Sequence, residues 1–119
     1  MPMRPVSIRS LIFVCGLMLI VCHSSMAQDT VDYGRQIKPV LQARCYSCHG
    51  ALKQEGGLRL DTVALATKGG DSGAAIKGAD ADGSLLLRRV SSTEESTRMP
   101  PEGEPLKQAE IAALKSWIA

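Results

Sequence analysis

The stretch Cys45-Tyr46-Ser47-Cys48-His49 decides the fold of this 119-residue chain. Its two cysteines are separated by two residues, and a histidine follows the second cysteine directly. On one turn of helix this spacing lets the two thiols and the imidazole face the same side. The stretch therefore offers three metal-binding or nucleophilic groups to a single partner.

The spacing Cys-x-x-Cys-His is typical of covalent haem attachment. Each thiol adds its S–H across one vinyl group of the porphyrin, and the two intervening residues match the separation of the vinyls. The histidine then reaches the iron from the same side of the ring. We predict one haem c, tethered by Cys45 and Cys48, with His49 as an axial ligand of its iron.

Three other uses of the motif compete with haem attachment. A thioredoxin-like redox pair has the same cysteine spacing, but it needs a βαβ setting that this sequence does not offer. A Cys45–Cys48 disulfide in a haem-free binding or structural module would close too short a loop to constrain the unfolded chain much. Structural zinc takes four ligands, and two thiols with one imidazole supply only three.

Residues 1–27 have the layout of a secretory signal peptide. Arg4 and Arg9 form a short basic region, and residues 11–22 form an apolar run. Ser25-Met26-Ala27 then supplies small residues where a signal peptidase cuts. We therefore expect cleavage and export to the periplasm or another extracytoplasmic compartment.

Two alternatives to cleavage would keep the leader as an anchor. A membrane-spanning helix needs roughly 20 apolar residues, and the apolar run has 12. Lipidation at Cys22 would need a small residue before it, where Val21 is branched. We expect a mature domain at residues 28–119 with no stable membrane insertion.

Removing the leader makes the chain neutral. Arg4 and Arg9 are two of the 14 basic residues, so 12 remain against 12 acidic ones. No basic patch argues for nucleic acid. The mature part has only three aromatic residues, Tyr33, Tyr46 and Trp117. A domain that small and poor in aromatics needs a staple, and a large flat apolar cofactor would fill its middle.

Met99 is the predicted second axial ligand of the iron. Axial ligands in haem proteins are His, Met, Cys or Tyr. His49 is the only histidine after the leader, and Met99 is the only methionine there, 50 residues further on and followed by Pro100-Pro101. A core gap-filling role for Met99 is the alternative, but its surroundings in the sequence are polar. Histidine–methionine ligation raises the potential and favours electron transfer.

Apolar spacing predicts an all-α fold of about three to five short helices joined by long glycine-rich loops. The first helix should restart or kink at Pro39. Ser84 is a plausible N-cap of the third helix. The helical or partly helical segments are residues 32–44, 62–67, 85–90 and a closing helix from about Leu106.

The order of these features resembles class I cytochromes c, and more closely the planctomycete-type cytochrome c domain. The resemblance covers nearly all of residues 31–119 and implies a cytochrome c domain at residues 28–119. The matching stretches are residues 37–41, 45–50, 56–61, 69–73, 84–86, 99–101 and 114–118. There are departures: residues 77–79 lack an expected proline, and Lys107 stands where Ser or Thr often caps the last helix.

The resemblance implies an electron carrier rather than an enzyme. It also implies that the first and last helices cross, with Ile37 or Leu41 near Leu114, Trp117 or Ile118. Such domains usually open longer proteins, so the expected partners are a redox protein or attached enzyme domains. The alternative function is a haem-based sensor or catalytic site in which a ligand displaces Met99.

Overall fold

The computed structural model describes residues 30–119, so the predicted signal peptide lies outside the described residues. Within this range the chain forms four α-helices and no strand, which confirms the all-α prediction. They are α1 (Lys38–Arg44), α2 (Val63–Lys68), α3 (Leu85–Val90) and α4 (Gln108–Ile118). A π-helical segment (Tyr33–Ile37) runs into α1, and a short 3-10 turn (Glu55–Gly57) precedes α2. None of the helices in this part of the chain is long and apolar enough to cross a membrane.

The restart expected at Pro39 is confirmed. Asp32 caps the start of the π-helical segment, and its Oδ1 accepts a hydrogen bond from the Arg35 N–H at 2.9 Å. It ends where the Lys38 N–H donates to the carbonyl of Tyr33, five residues back. Pro39 then occupies the first turn of α1, where a missing N–H leaves no helical hydrogen bond unmade.

The first and last helical segments pack against each other, as the resemblance implies. The π-helical segment contacts α4, and α3 contacts α4 as well. The rings of Tyr33 and Trp117 lie with centroids 5.1 Å apart, within the range of favourable aromatic pairs. Ile37 and Leu114 are completely buried in the common core. This contact closes one end of the domain.

The helices depend on this core for their stability. The longest, α4, has 11 residues, and isolated helices shorter than about 12 residues are marginal in water. Each α-helix buries between one and three apolar side chains in one shared cluster. The buried members are Ile37, Leu41, Cys45, Leu60, Ala66, Ala75, Ile76, Ala81, Leu86, Leu87, Val90, Leu106, Leu114 and Ile118.

Ser84 precedes α3 as predicted, but its hydroxyl does not cap the helix. The Leu86 N–H in the first turn of α3 donates instead to the carbonyl of Ala75 at 2.9 Å. Because that donor is already satisfied, the buried Ser84 hydroxyl turns away from the helix. It accepts from the Lys77 N–H and donates to the Asp80 carbonyl, both at 2.8 Å. Ser84 thus fixes the preceding loop.

Lys107 begins α4 without a capping side chain, and Glu110 compensates. The Glu110 carboxylate accepts from the Lys107 N–H at 2.8 Å. An acidic side chain in the first turn also interacts favourably with the helix dipole. The departure from the family pattern at Lys107 is therefore tolerated by the fold.

Replacing Trp117 with Ala is expected to destabilise the domain by about 2–3 kcal/mol. A fully buried Trp→Ala change costs about 3–5 kcal/mol, but Trp117 is only half-buried, so part of that loss is absent. Denaturant unfolding of the purified holoprotein measures the change. The control is Ser116→Ala, at the exposed neighbouring position. Equal unfolding midpoints for both variants would contradict the packing of Trp117 on Tyr33.

Candidate functional site

The Cys-x-x-Cys-His stretch forms one wall of a cavity of about 740 Å³. This volume lies within the range of about 300–1,000 Å³ that is usual for ligand and cofactor pockets. Five segments of the chain surround it. They are residues 43–49, 53–60, 70–75, 85–90 and 99–104.

Residues 45–49 continue the helical path of α1 by one turn. The Cys45 N–H donates to the Leu41 carbonyl at 2.9 Å, and the His49 N–H donates to the Cys45 carbonyl at 2.8 Å. Cys45, Cys48 and His49 are therefore three and four positions apart on a helical turn, which places them on one face. All three line the cavity.

The two thiols are free and differ in exposure. Cys45 is buried and Cys48 is half-buried. Burial raises the pKa of the Cys45 thiol to about 11, an effect that the nearby Arg44 guanidinium partly opposes. Cys45 is therefore protonated at neutral pH and would carry the S–H that covalent attachment of a haem requires.

His49 carries an unsatisfied buried nitrogen. Its Nδ1 is shielded from solvent and has no hydrogen-bond partner among the described residues. An iron-bound imidazole usually donates its other N–H to a fixed acceptor, and from the sequence we expect a main-chain carbonyl near Gly56, Gly57 or Leu58. None of these carbonyls takes the bond. The Gly56 carbonyl instead accepts from the Asp71 N–H at 2.8 Å. An imidazole nitrogen without a partner is costly to bury, so the hydrogen-bonding capacity of His49 is not met by the described residues.

Leu60 holds the loop beside His49 against the cavity. Its N–H donates to the His49 carbonyl at 2.9 Å, and its side chain is buried in the cavity wall. Arg59 and Asp61 flank it and form a two-point ion pair, with distances of 2.9 and 2.5 Å. The Arg59 guanidinium lowers the pKa of the Asp61 carboxyl through this hydrogen bond. The two charged side chains thus pair with each other, and Leu60 between them lines the cavity.

A glycine-lined wall faces the cavity between residues 56 and 73. A Cβ at Gly70 would collide with the Gly56 carbonyl, and one at Gly69 would collide with the Gly73 carbonyl. Gly56, Gly70 and Gly73 all line the cavity. The wall is thus built by close packing of backbone on backbone, which leaves room for a bulky group inside.

Gly50 ends the motif turn and admits no side chain. A Cβ there would lie 2.5 Å from the Tyr46 carbonyl oxygen, a backbone atom that cannot rotate away. We expect Gly50→Ala to destabilise the holoprotein by about 1–3 kcal/mol, the usual cost of overpacking. The matched control is Gly78→Ala, where no atom lies within 4 Å of the new Cβ. Thermal unfolding of both variants checks this, and equal melting temperatures would contradict it.

Met99 approaches the cavity from the side of α3. It lies in a loop of residues 91–104, here called the Met99 loop, and is half-buried against the core. Its N–H donates to the Arg89 carbonyl at 3.0 Å, and the Arg89 guanidinium donates to the Thr97 carbonyl at 3.3 Å. Met99 thus lines the same cavity as Cys45, Cys48 and His49.

Two arginines in this arrangement were not singled out from the sequence. Arg89 fixes the Met99 loop to the end of α3, and Arg44 donates to the Glu104 carbonyl at the far end of that loop. Both arginines line the cavity. No motif or spacing marks them, although Arg44 directly precedes Cys45. Their roles depend on contacts between residues distant in sequence.

The residues around the cavity fit a haem. Two free thiols, one imidazole and one thioether line it together with apolar side chains such as Leu58, Leu86 and Val90. Within residues 30–119, no cluster of three or more His, Cys, Asp and Glu side chains is arranged to hold a metal ion directly. The positive ground for haem is the donor set itself, because two thiols suit attachment to a porphyrin and an imidazole and a thioether suit its iron.

An all-α domain with a Cys-x-x-Cys-His turn and a methionine loop on one cavity belongs to the class of cytochrome c domains. Comparison with protein families identifies the particular family. Residues 45–103 match the family described as planctomycete cytochrome C, which confirms the predicted resemblance to that type of domain. Its members are cytochromes c, which bind haem c covalently. Comparisons with curated proteins and with solved structures gave no match.

Proposed function

We propose that this domain carries single electrons through one haem c. Cys45 and Cys48 would tether the haem, and His49 and Met99 would bind its iron from opposite sides. One observation carries the proposal: all four side chains line a single cavity, although Met99 is 50 residues from His49 in the sequence. When bound, haem supplies a one-electron iron couple.

The chain's own residues would set the properties of that couple. A thioether ligand raises the potential relative to a second imidazole. The apolar wall of Leu58, Leu86 and Val90 would exclude water from the iron, and burial of a haem tunes its potential further. Cys48 is half-buried at the cavity rim, which would leave a haem edge near solvent for electron exchange.

The absorption spectrum of the protein matured with a c-type haem system tests this ligand set. The oxidised form should show low-spin bands with the far-red band of a sulfur–iron bond. The reduced form should show sharp low-spin bands. High-spin bands would contradict Met99 ligation and would favour a sensor or catalytic haem site.

Carbon monoxide separates the electron carrier from that alternative. A carrier with Met99 firmly on the iron should bind carbon monoxide slowly and weakly when reduced. Rapid binding would mean that Met99 yields easily to ligands, as a sensor or catalytic site requires.

The setting of the proposed activity is extracytoplasmic, which is typical of cytochrome c domains. Export through the signal peptide at residues 1–27 would deliver the chain to a compartment where haem is attached. The electron partner would be a redox protein or an enzyme domain joined to this one. Electron transfer to a partner, measured by stopped-flow absorption, tests the carrier role directly.

A further inference from the structure

We propose that Arg44 is a positioning residue that holds the Met99 loop across the cavity and keeps Met99 on the iron. This inference rests on the proposed ligation by Met99. Its basis is one contact: the Arg44 guanidinium donates to the main-chain carbonyl of Glu104. The two residues are 60 positions apart in the sequence.

The place of Arg44 in the chain gives this contact its significance. Arg44 is the last residue of α1, immediately before Cys45. Glu104 ends the Met99 loop, five residues after Met99. Among the described residues, this is the one hydrogen bond that joins the segment of residues 33–49 to the Met99 loop. It therefore links the element that bears His49 to the loop that bears the opposite ligand.

Other hydrogen bonds connect the Met99 loop to itself and to α3. The Arg98 guanidinium donates to the Gly103 carbonyl at 3.2 Å, which closes the chain around Met99. At the other end, the Met99 N–H is bonded to the Arg89 carbonyl of α3. The Arg44 guanidinium binds the next carbonyl along the chain, that of Glu104. Without Arg44, the loop would be anchored by hydrogen bonds to α3 and to itself, and it could swing away from the motif turn.

Release of Met99 and binding of an outside ligand are linked equilibria. A ligand such as imidazole binds the iron only when Met99 is off, so its apparent affinity is proportional to the population of that open state. Loss of a hydrogen bond from a charged donor raises this population several-fold. Arg44→Ala should therefore raise the affinity of the oxidised protein for imidazole about three- to tenfold.

The experiment is an imidazole titration of the oxidised holoprotein, followed by loss of the far-red sulfur–iron band. Arg35→Ala is the matched control because it removes the same charge from an exposed residue whose side chain makes no hydrogen bond in the described part of the chain. Arg44→Lys, which keeps a cationic donor, should recover part of the wild-type affinity. Glu104→Gln should stay within about twofold of wild type, because the acceptor is a main-chain carbonyl.

The outcomes separate this inference from the proposed function. If wild type lacks the far-red band, Met99 ligation fails and the inference fails with it. If wild type has the band but Arg44→Ala and Arg35→Ala bind imidazole equally, only the role of Arg44 is overturned. Denaturant unfolding of the same proteins provides a further readout. A fall in global stability with no selective gain in imidazole affinity would make Arg44 merely structural and would also overturn the proposal.

Discussion

The double variant Cys45→Ala/Cys48→Ala is expected to leave the maturation system without covalent haem and without a stable native fold. Each thiol supplies one thioether, so removal of both eliminates the tether. The cavity of about 740 Å³ would then lack the group that fills it. Its apolar lining, which includes Leu58, Leu86 and Val90, would be left in contact with water. Small domains bury little apolar surface and are stable by only roughly 5–15 kcal/mol, so this loss is large for the fold.

Two measurements check this expectation. Mass spectrometry under denaturing conditions should show the haem mass on wild type and on Gln42→Ala, an exposed control on α1, but not on the double variant. Far-ultraviolet circular dichroism should show that the double variant loses most of its helix. Covalent haem in that variant would refute attachment through these cysteines. A native helical spectrum without haem would show that the domain folds without its cofactor.

Replacing Met99 with Ala is expected to remove the far-red band, to leave high-spin iron and to lower the reduction potential. Met99 is the only methionine after residue 27, and the other axial candidates in that part of the sequence are His49, Cys45, Cys48 and the two tyrosines. Tyr46 does not line the cavity, and neither does Tyr33. Among the lining residues that the structure describes, no further methionine or histidine remains to take the place of the thioether. The reduced variant should bind carbon monoxide readily.

Met99→His separates the loss of sulfur from the loss of any sixth ligand. It should restore low-spin bands without the far-red band, at a lower potential than wild type. Thr93→Ala, at an exposed position of the same loop, controls for effects on the loop itself. Retention of the far-red band in Met99→Ala would assign the sulfur–iron signal to another residue and would refute Met99 as the ligand.

Local sequence patterns sufficed to predict most of the helices. Capping and spacing act over a few residues, so Asp32 and Pro39 mark the start and the restart of the first helical segment. The closing helix begins at Gln108 rather than at about Leu106. Leu106 is buried ahead of the helix, and an apolar stripe alone does not distinguish a helical residue from a buried one that precedes it.

The role of Ser84 was only half predictable. Its position before α3 followed from local preference for small polar residues at helix starts. The carbonyl of Ala75, which satisfies the helix donor in its place, comes from a loop nine residues earlier. Such competition between acceptors is decided by packing, which no short sequence window contains. The partner of His49 Nδ1 was misjudged for the same reason, because Gly56 turns its carbonyl to Asp71.

The sequence by itself determined the chemistry that we predict for this protein. The Cys-x-x-Cys-His spacing predicts haem attachment because two thiols and an imidazole must fall on one helical turn, and the scarcity of histidine and methionine singles out His49 and Met99 as the candidate iron ligands. Only the tertiary structure decided what brings Met99 to the same cavity: the bond of its N–H to Arg89, the Arg44 contact to Glu104, and the glycine wall. The physical reason is range, since attachment depends on neighbours within five residues, whereas positioning Met99 depends on contacts between segments up to 60 residues apart.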